Sequence, residues 1–274
     1  LLIGVYLVAD YLDSGAPRRP PPVEPFVIPR EPLPPLDPSG PLDVLPDSAG
    51  EVPMEPGPGM GTAFSLNSDG IWVTARHVVD SCDEVAVRTG VGRAVKARNV
   101  IMHPGADMAV IVTSRAGPDV PLSDAALQPG TMGFHVGFPQ GNPAEVYSIL
   151  IGRTMIHTQG RYRLREPAYI WAEQQRFPNF PGSLGGMSGG PVFDASGTVV
   201  GVTIVEMPRR GRVGTTAPRS FPPMWREAGV SPEANPDRVE SLSLQTLTRE
   251  GKEMRDDLTV AKVYCSVKKG RRGR

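Results

Sequence analysis

Gly186-Met187-Ser188-Gly189-Gly190-Pro191 sets one serine among glycines, just ahead of the apolar run Pro191-Val192-Phe193. A serine hydroxyl attacks poorly unless a base takes its proton and nearby donors stabilise the oxyanion that forms. Glycines serve the second need, because they let backbone N–H groups point into a pocket at φ values that other residues avoid. A base is offered by His77, in Thr74-Ala75-Arg76-His77-Val78-Val79. An acid to orient it is offered by Asp107, which opens the apolar stretch Asp107-Met108-Ala109-Val110-Ile111. Taken singly, His77 reads as a packed core histidine and Asp107 as a turn or capping residue. Their order and context carry the case for nucleophilic catalysis.

Gly186-Met187-Ser188-Gly189-Gly190 also satisfies G-x-S-x-G, the nucleophile elbow of α/β-hydrolases, a fold whose histidine follows its serine. All four histidines here (His77, His103, His135 and His157) precede Ser188. The helices that should alternate with strands in a parallel sheet are missing from the pattern as well. The elbow reading fails.

The elements around these residues read as short β runs broken by turns. Examples are Thr62–Leu66, Ile71–Thr74, Met108–Val112, Met132–Val136, Val146–Ile151 and Val199–Val205. Strands at this spacing imply an antiparallel barrel or sandwich. A plausible helical spacing over about 239–256 precedes a final strand near Leu258–Tyr264. Formal net charge is zero, with 29 basic and 29 acidic residues, so no global basic field points to nucleic acid. No Cys/His cluster has metal-ligand spacing, and no metal or cofactor is expected.

Thr74-Ala75-Arg76-His77, Asp107-Met108-Ala109-Val110-Ile111 and Gly186-Met187-Ser188-Gly189-Gly190-Pro191, in that order, resemble the three motifs of trypsin-like (chymotrypsin-fold) serine proteases. The nearest flavour is a bacterial HtrA/Deg-type protease domain. The resemblance implies an all-β fold of two six-stranded antiparallel β-barrels, followed here by a short C-terminal helix and strand. It implies a serine endopeptidase acting on polypeptides through an acyl-enzyme. In that reading Ser188 is the nucleophile, His77 the general base, Asp107 its orienting acid, and the N–H groups of Gly186 and Ser188 the oxyanion hole. By position, Gly182, Ser183 and Leu184 with Thr203, Ile204 and Val205 should wall the substrate pocket. No acidic residue sits clearly at its base, although Glu206 is near in sequence, so a small or medium apolar side chain is expected there. The alternative is a catalytically silent binding or chaperone module on the same fold.

The chain departs from the family at two places. Met187 stands where zymogen-activated relatives carry an aspartate that pairs with a newly cut N-terminus. Activation by such a cut is not expected, and the loop Pro178–Gly186 must be ordered in another way. The region after residue 222 is too short for the PDZ domain that usually follows an HtrA protease domain.

The expected organisation is an apolar anchor or signal end at 1–12, a Pro-rich linker at 13–58 and a protease domain at 59–222. A C-terminal extension packing on the barrel (223–266) and a basic tail (267–274) follow. About half of the 31 prolines fall between residues 16 and 59, which suits an extended spacer. The apolar start suggests membrane attachment through the N-terminus, on the periplasmic side of a bacterial envelope, or secretion. Only Cys82 and Cys265 are present, and a bridge between them is favoured in that oxidising setting.

Overall fold

The computed structural model describes residues 26–29, 36–37, 40–232 and 240–268. The apolar segment 1–12 and residues 269–274 of the basic tail lie outside the described residues. Among those described, no helix is long and apolar enough to cross a membrane.

Two β-sheets make up the molecule. The first is built from β2 (Gly59–Asn67), β3 (Ile71–Thr74), β4 (Glu84–Gly90), β5 (Arg93–Lys96), β6 (Asn99–Met102), β7 (Ala109–Val112) and β14 (Val260–Ser266), in the order β5-β4-β14-β2-β3-β7-β6. The second contains β8 (Met132–Gly137), β9 (Ala144–Gly160), β10 (Leu164–Phe177), β11 (Pro191–Phe193), β12 (Val199–Met207) and β13 (Arg212–Thr216). Its strands run β9-β10-β13-β12-β11-β8, and β8 pairs back onto β9, closing a six-stranded antiparallel barrel. This is the trypsin-like double-barrel architecture. Alternating apolar residues fill the sheets: Trp72, Ile111 and Val263 are wholly buried in one cluster, and Phe64, Val110, Phe134 and Val202 in another.

Two segments enter the sheets from outside the expected domain limits. β1 (Ser48–Val52), within the Pro-rich stretch, pairs in parallel with β9 from Ser48↔Ile156 to Val52↔Gly160. It forms there because Ser48-Ala49-Gly50-Glu51-Val52 is a proline-free window, so its N–H groups can join a ladder. The final strand, β14, lies between β4 and β2 as an inner strand of the first sheet, so it is integral to that sheet rather than an extension packed upon it. A disulfide joins Cys265 of β14 to Cys82, just beyond the helical turn α1 (Arg76–Val79). Its span of 183 residues restricts the unfolded chain by about 5 kcal/mol on the loop-entropy account. The bridge ties the last strand to the segment that carries His77. Two further helices, α2 (Phe221–Ala228) and α3 (Leu247–Asp256), bury Phe221, Met224 and Leu247 against the core.

Candidate active site

His77 sits in α1, immediately after β3, and Asp107 ends the loop that leads into β7. The two bind each other twice. His77 Nδ1 lies 2.7 Å from Asp107 Oδ2, and the His77 backbone N–H donates to Asp107 Oδ1 over 2.8 Å. The Tyr162 hydroxyl adds a third donor to this carboxylate, to Oδ1 at 3.3 Å. Burial alone would push the Asp107 carboxyl up; the His77 charge and these donors outweigh it and hold the group below its ordinary range. For His77 burial works downward, but the charge and hydrogen bond of Asp107 prevail and raise the ring above its ordinary value. A ring that readily accepts a proton at Nε2, with Nδ1–H fixed on a carboxylate, is what a general base requires.

A second acid stands behind the first. Glu166, wholly buried on β10, accepts the Asp107 N–H at 2.9 Å through Oε1. Its Oε2 has no hydrogen-bond partner among the described residues. Burial, reinforced by the Asp107 charge, pushes its carboxyl up to about 8, so it is protonated at neutral pH and leaves Asp107 as the single anion. A cavity of about 90 Å³ between these groups is lined also by Gly50, Glu51 and Val52 of β1. Arg161 ties the His77 carbonyl (3.3 Å) and the Asp80 carboxylate (2.9 Å) to the Pro53 carbonyl (3.1 Å).

Ser188 lies on a tight turn packed against the entry to α1. Its carbonyl accepts the Thr62 N–H at 2.8 Å, and a β-carbon on Gly189 would lie 2.2 Å from both Thr62 O and Thr74 Oγ1. The Ser188 hydroxyl makes no hydrogen bond to the His77 ring among the described residues; such contacts commonly tighten only when substrate binds. Within the turn the N–H groups alternate. Those of Met187, Gly189 and Gly190 are bonded to Leu184 O, Thr203 O and Met187 O. Among the described residues the N–H groups of Gly186 and Ser188 have no such partner. Gly186 is held at φ +99°, and a β-carbon there would lie 2.6 Å from Phe138 O. Only glycine fits that backbone.

The loop ahead of Gly186 is clamped from two sides. Gln140, on the turn between β8 and β9, donates Nε2 to Pro181 O (2.9 Å) and Ser183 O (3.0 Å) and its backbone N–H to Gly185 O (2.6 Å). Arg176, at the end of β10, takes the alternate carbonyls, Gly182 O at 2.6 Å and Phe180 O at 3.3 Å. Its guanidinium is paired with Glu173 and lies 3.6 Å from Glu206. Glu206 Oε2 in turn accepts from Ser183 Oγ (2.7 Å) and Leu184 N (2.8 Å). Beside Ser188 lies a cavity of about 200 Å³, walled by Ser183, Leu184, Gly185, Thr203, Ile204, Val205, Glu206 and Val213.

The pattern of the trypsin-like peptidase domain matches residues 61–202, more than half of the chain. The chain belongs to the trypsin-like peptidase family. A probable periplasmic serine endoprotease, DegP-like, from Pseudomonas putida (strain W619) is 30% identical over 154 residues, 56% of this chain and 30% of the relative. A protein of the same description from Halomonas elongata is 29% identical over 171 residues, 59% of this chain and 34% of the relative. The chain thus spans about a third of the length of these curated relatives. Among solved structures, the active form of the Rv3671c protease from M. tuberculosis superposes with a TM-score of 0.53 at 17% identity, covering 78% of this chain and 97% of that one. Its inactive form gives 0.51 at 19% identity, with 63% and 88% covered. At such identity these structures speak to the fold.

Of the pocket residues expected in this trypsin-like peptidase, Ser183, Leu184, Thr203, Ile204 and Val205 line the cavity beside Ser188. Gly182 does not. Its carbonyl is held by Arg176, and a β-carbon there would lie 2.8 Å from Gln140 Nε2. Sequence reasoning missed Tyr162, Glu166, Gln140 and Arg176, none of which falls in a local motif. Glu206, next to the expected pocket wall in sequence, borders the cavity, and its carboxylate is engaged by Ser183 Oγ and Leu184 N. The remaining histidines are structural. His135 is wholly buried between Ser148 Oγ (2.9 Å) and Thr203 Oγ1 (3.2 Å), and burial pushes it down to about 3. His103 shapes the loop before Asp107 by accepting the Gly105 N–H at 2.8 Å.

Proposed function

We propose that this chain is a serine endopeptidase in which Ser188, His77 and Asp107 form a catalytic triad, and Gly186 and Ser188 supply the oxyanion hole. The observation that carries the reading is the double hold of His77 on Asp107, through ring and backbone, beside a serine turn with two unspent N–H groups. Ser188 Oγ attacks the substrate carbonyl as His77 takes its proton, and His77 returns that proton to the leaving amine. Asp107 fixes the Nδ1–H tautomer and stabilises the imidazolium. Each oxyanion donor contributes about 3 kcal/mol to lowering the barrier. Water then hydrolyses the acyl-enzyme by the same steps.

The substrate is a polypeptide with a medium aliphatic side chain before the cut bond. Leu184, Ile204, Val205 and Val213 give the cavity apolar walls, and the Glu206 carboxylate is occupied by the loop. The setting is the periplasmic side of a bacterial envelope, which suits the disulfide and matches the description of the DegP-like relatives. Attachment to the membrane through residues 1–12 rests on their apolar sequence.

Labelling with a fluorophosphonate probe tests the assignment. The wild-type chain is expected to become phosphonylated at Ser188, while Ser188→Ala and His77→Ala are not. A folded wild type that does not react would leave the silent binding module as the better reading.

A further inference from the structure

Arg176 is one of the most deeply buried charges in the molecule, with its side chain 3% exposed. Two aromatic rings lie against its guanidinium. Phe180, from the loop that precedes the oxyanion donors, lies 4.8 Å away, and Phe26, from the Pro-rich N-terminal segment, lies 4.9 Å away. The N-terminal segment is fastened at further points. Asn179 Nδ2 donates to Phe26 O at 3.3 Å, and Ile28 is buried. Pro29 O comes so close to the turn at Gly211 that a β-carbon there would lie 2.1 Å from it. The carbonyl of that same Gly211 accepts the N–H of Glu173, which is Arg176's ion-pair partner. Both ends of the Phe26–Pro29 segment therefore bear on the structure that fixes Arg176, and through Arg176 on the carbonyls of Phe180 and Gly182.

We propose that residues Phe26–Pro29 form an activating strap, which holds Arg176 in place as a positioning residue so that the loop before Gly186 presents its oxyanion donors. This rests on the peptidase reading above and deepens it. Met187 cannot make the ion pair by which a newly cut N-terminus orders this loop in zymogen-activated relatives. Here a segment inside the intact chain bears on the same loop without any cut. The physical basis is direct. A guanidinium stripped of water needs its faces covered and its N–H groups bonded. Phe26 covers one face, and without it water competes for the N–H groups that hold Gly182 O and Phe180 O. Among the described residues the segment belongs to no strand, and Val27 is exposed while Ile28 is buried.

The test uses the full chain carrying Phe26→Ala, with a peptide substrate and a fluorophosphonate. About a tenfold fall in kcat is expected, with a much smaller change in KM, because oxyanion donors act on charge present only in the transition state. A synthetic peptide of residues 24–31 added in trans should restore kcat, and the same peptide with alanine in place of phenylalanine should not. Arg176→Lys, which keeps the charge but loses the fork that reaches two carbonyls, should lose kcat without rescue by either peptide. If Phe26→Ala keeps wild-type kcat and labelling rate, the strap is wrong while the peptidase stands. If it loses activity and the peptide fails to restore it although Arg176→Lys behaves as wild type, the strap is equally wrong. A wild-type chain that neither labels nor cleaves removes both.

Discussion

His77 and Asp107 belong to the first barrel and hold each other directly, ring to carboxylate and backbone to carboxylate. Gly186 and Ser188 sit on a loop of the second barrel that is held at a distance, by Gln140 before β9, Arg176 at the end of β10 and Glu206 at the end of β12. The first arrangement is short and redundant, and it is backed from the second barrel by Tyr162 and Glu166. The second passes through the buried Arg176–Glu173 pair and the half-buried Glu206, and loss of one member of the buried pair leaves an uncompensated charge. On the proposed reading, the proton-transfer side is held by short direct contacts and the oxyanion side by side chains that reach its loop from separate elements.

Asp107→Asn gives the largest expected effect. It removes the charge that selects the His77 tautomer and should lower kcat about 10⁴-fold with the fold intact, as steady-state kinetics would show. On the other side, Gln140→Ala removes the side-chain bonds to Pro181 O and Ser183 O but leaves Arg176 in place. About a tenfold loss in kcat is expected, below the 10²–10³ of removing an oxyanion donor outright. Equal losses from the two variants would erase the contrast between the sides.

The smallest effect concerns stability and pH. Glu166 holds its proton more tightly in the folded chain than in the unfolded one, with a folded value of about 8. Between the ordinary carboxyl range and about pH 8 the native state thus binds more protons, and stability falls as pH rises through that window. Glu166→Gln keeps the acceptor for the Asp107 N–H without the ionisation. Its Tm should decline less steeply from pH 6 to 9 than that of the wild type, the remaining slope coming from His77, whose ring is also raised in the folded chain; parallel curves would mean that Glu166 is not protonated beside Asp107.

Much of this was legible because the chemistry of each element is local in sequence. Glycine around Ser188, the strand before His77 and the apolar run after Asp107 all advertise their backbone needs in a few residues, and the short β runs point to an antiparallel sandwich or barrel, the two barrels following only from the family resemblance. The clamps were not legible. Gln140 and Arg176 act on carbonyls dozens or a few residues away through side chains with no characteristic neighbours, and Glu166 looks like any strand glutamate until its burial is seen. The Pro-rich stretch concealed β1, because proline content averaged over the segment hides five consecutive residues free to pair. The inner position of β14 follows from long-range pairing, to which local pattern is blind.

The most direct test of the central claim is a crystal structure of the wild-type chain phosphonylated at Ser188. The phosphoryl oxygen is expected to lie about 2.7–3.1 Å from both the Gly186 and Ser188 nitrogens, with Gln140 and Arg176 still on their carbonyls. An adduct whose oxygen faces solvent, with the Gly186 N–H bonded elsewhere in the loop, would contradict it.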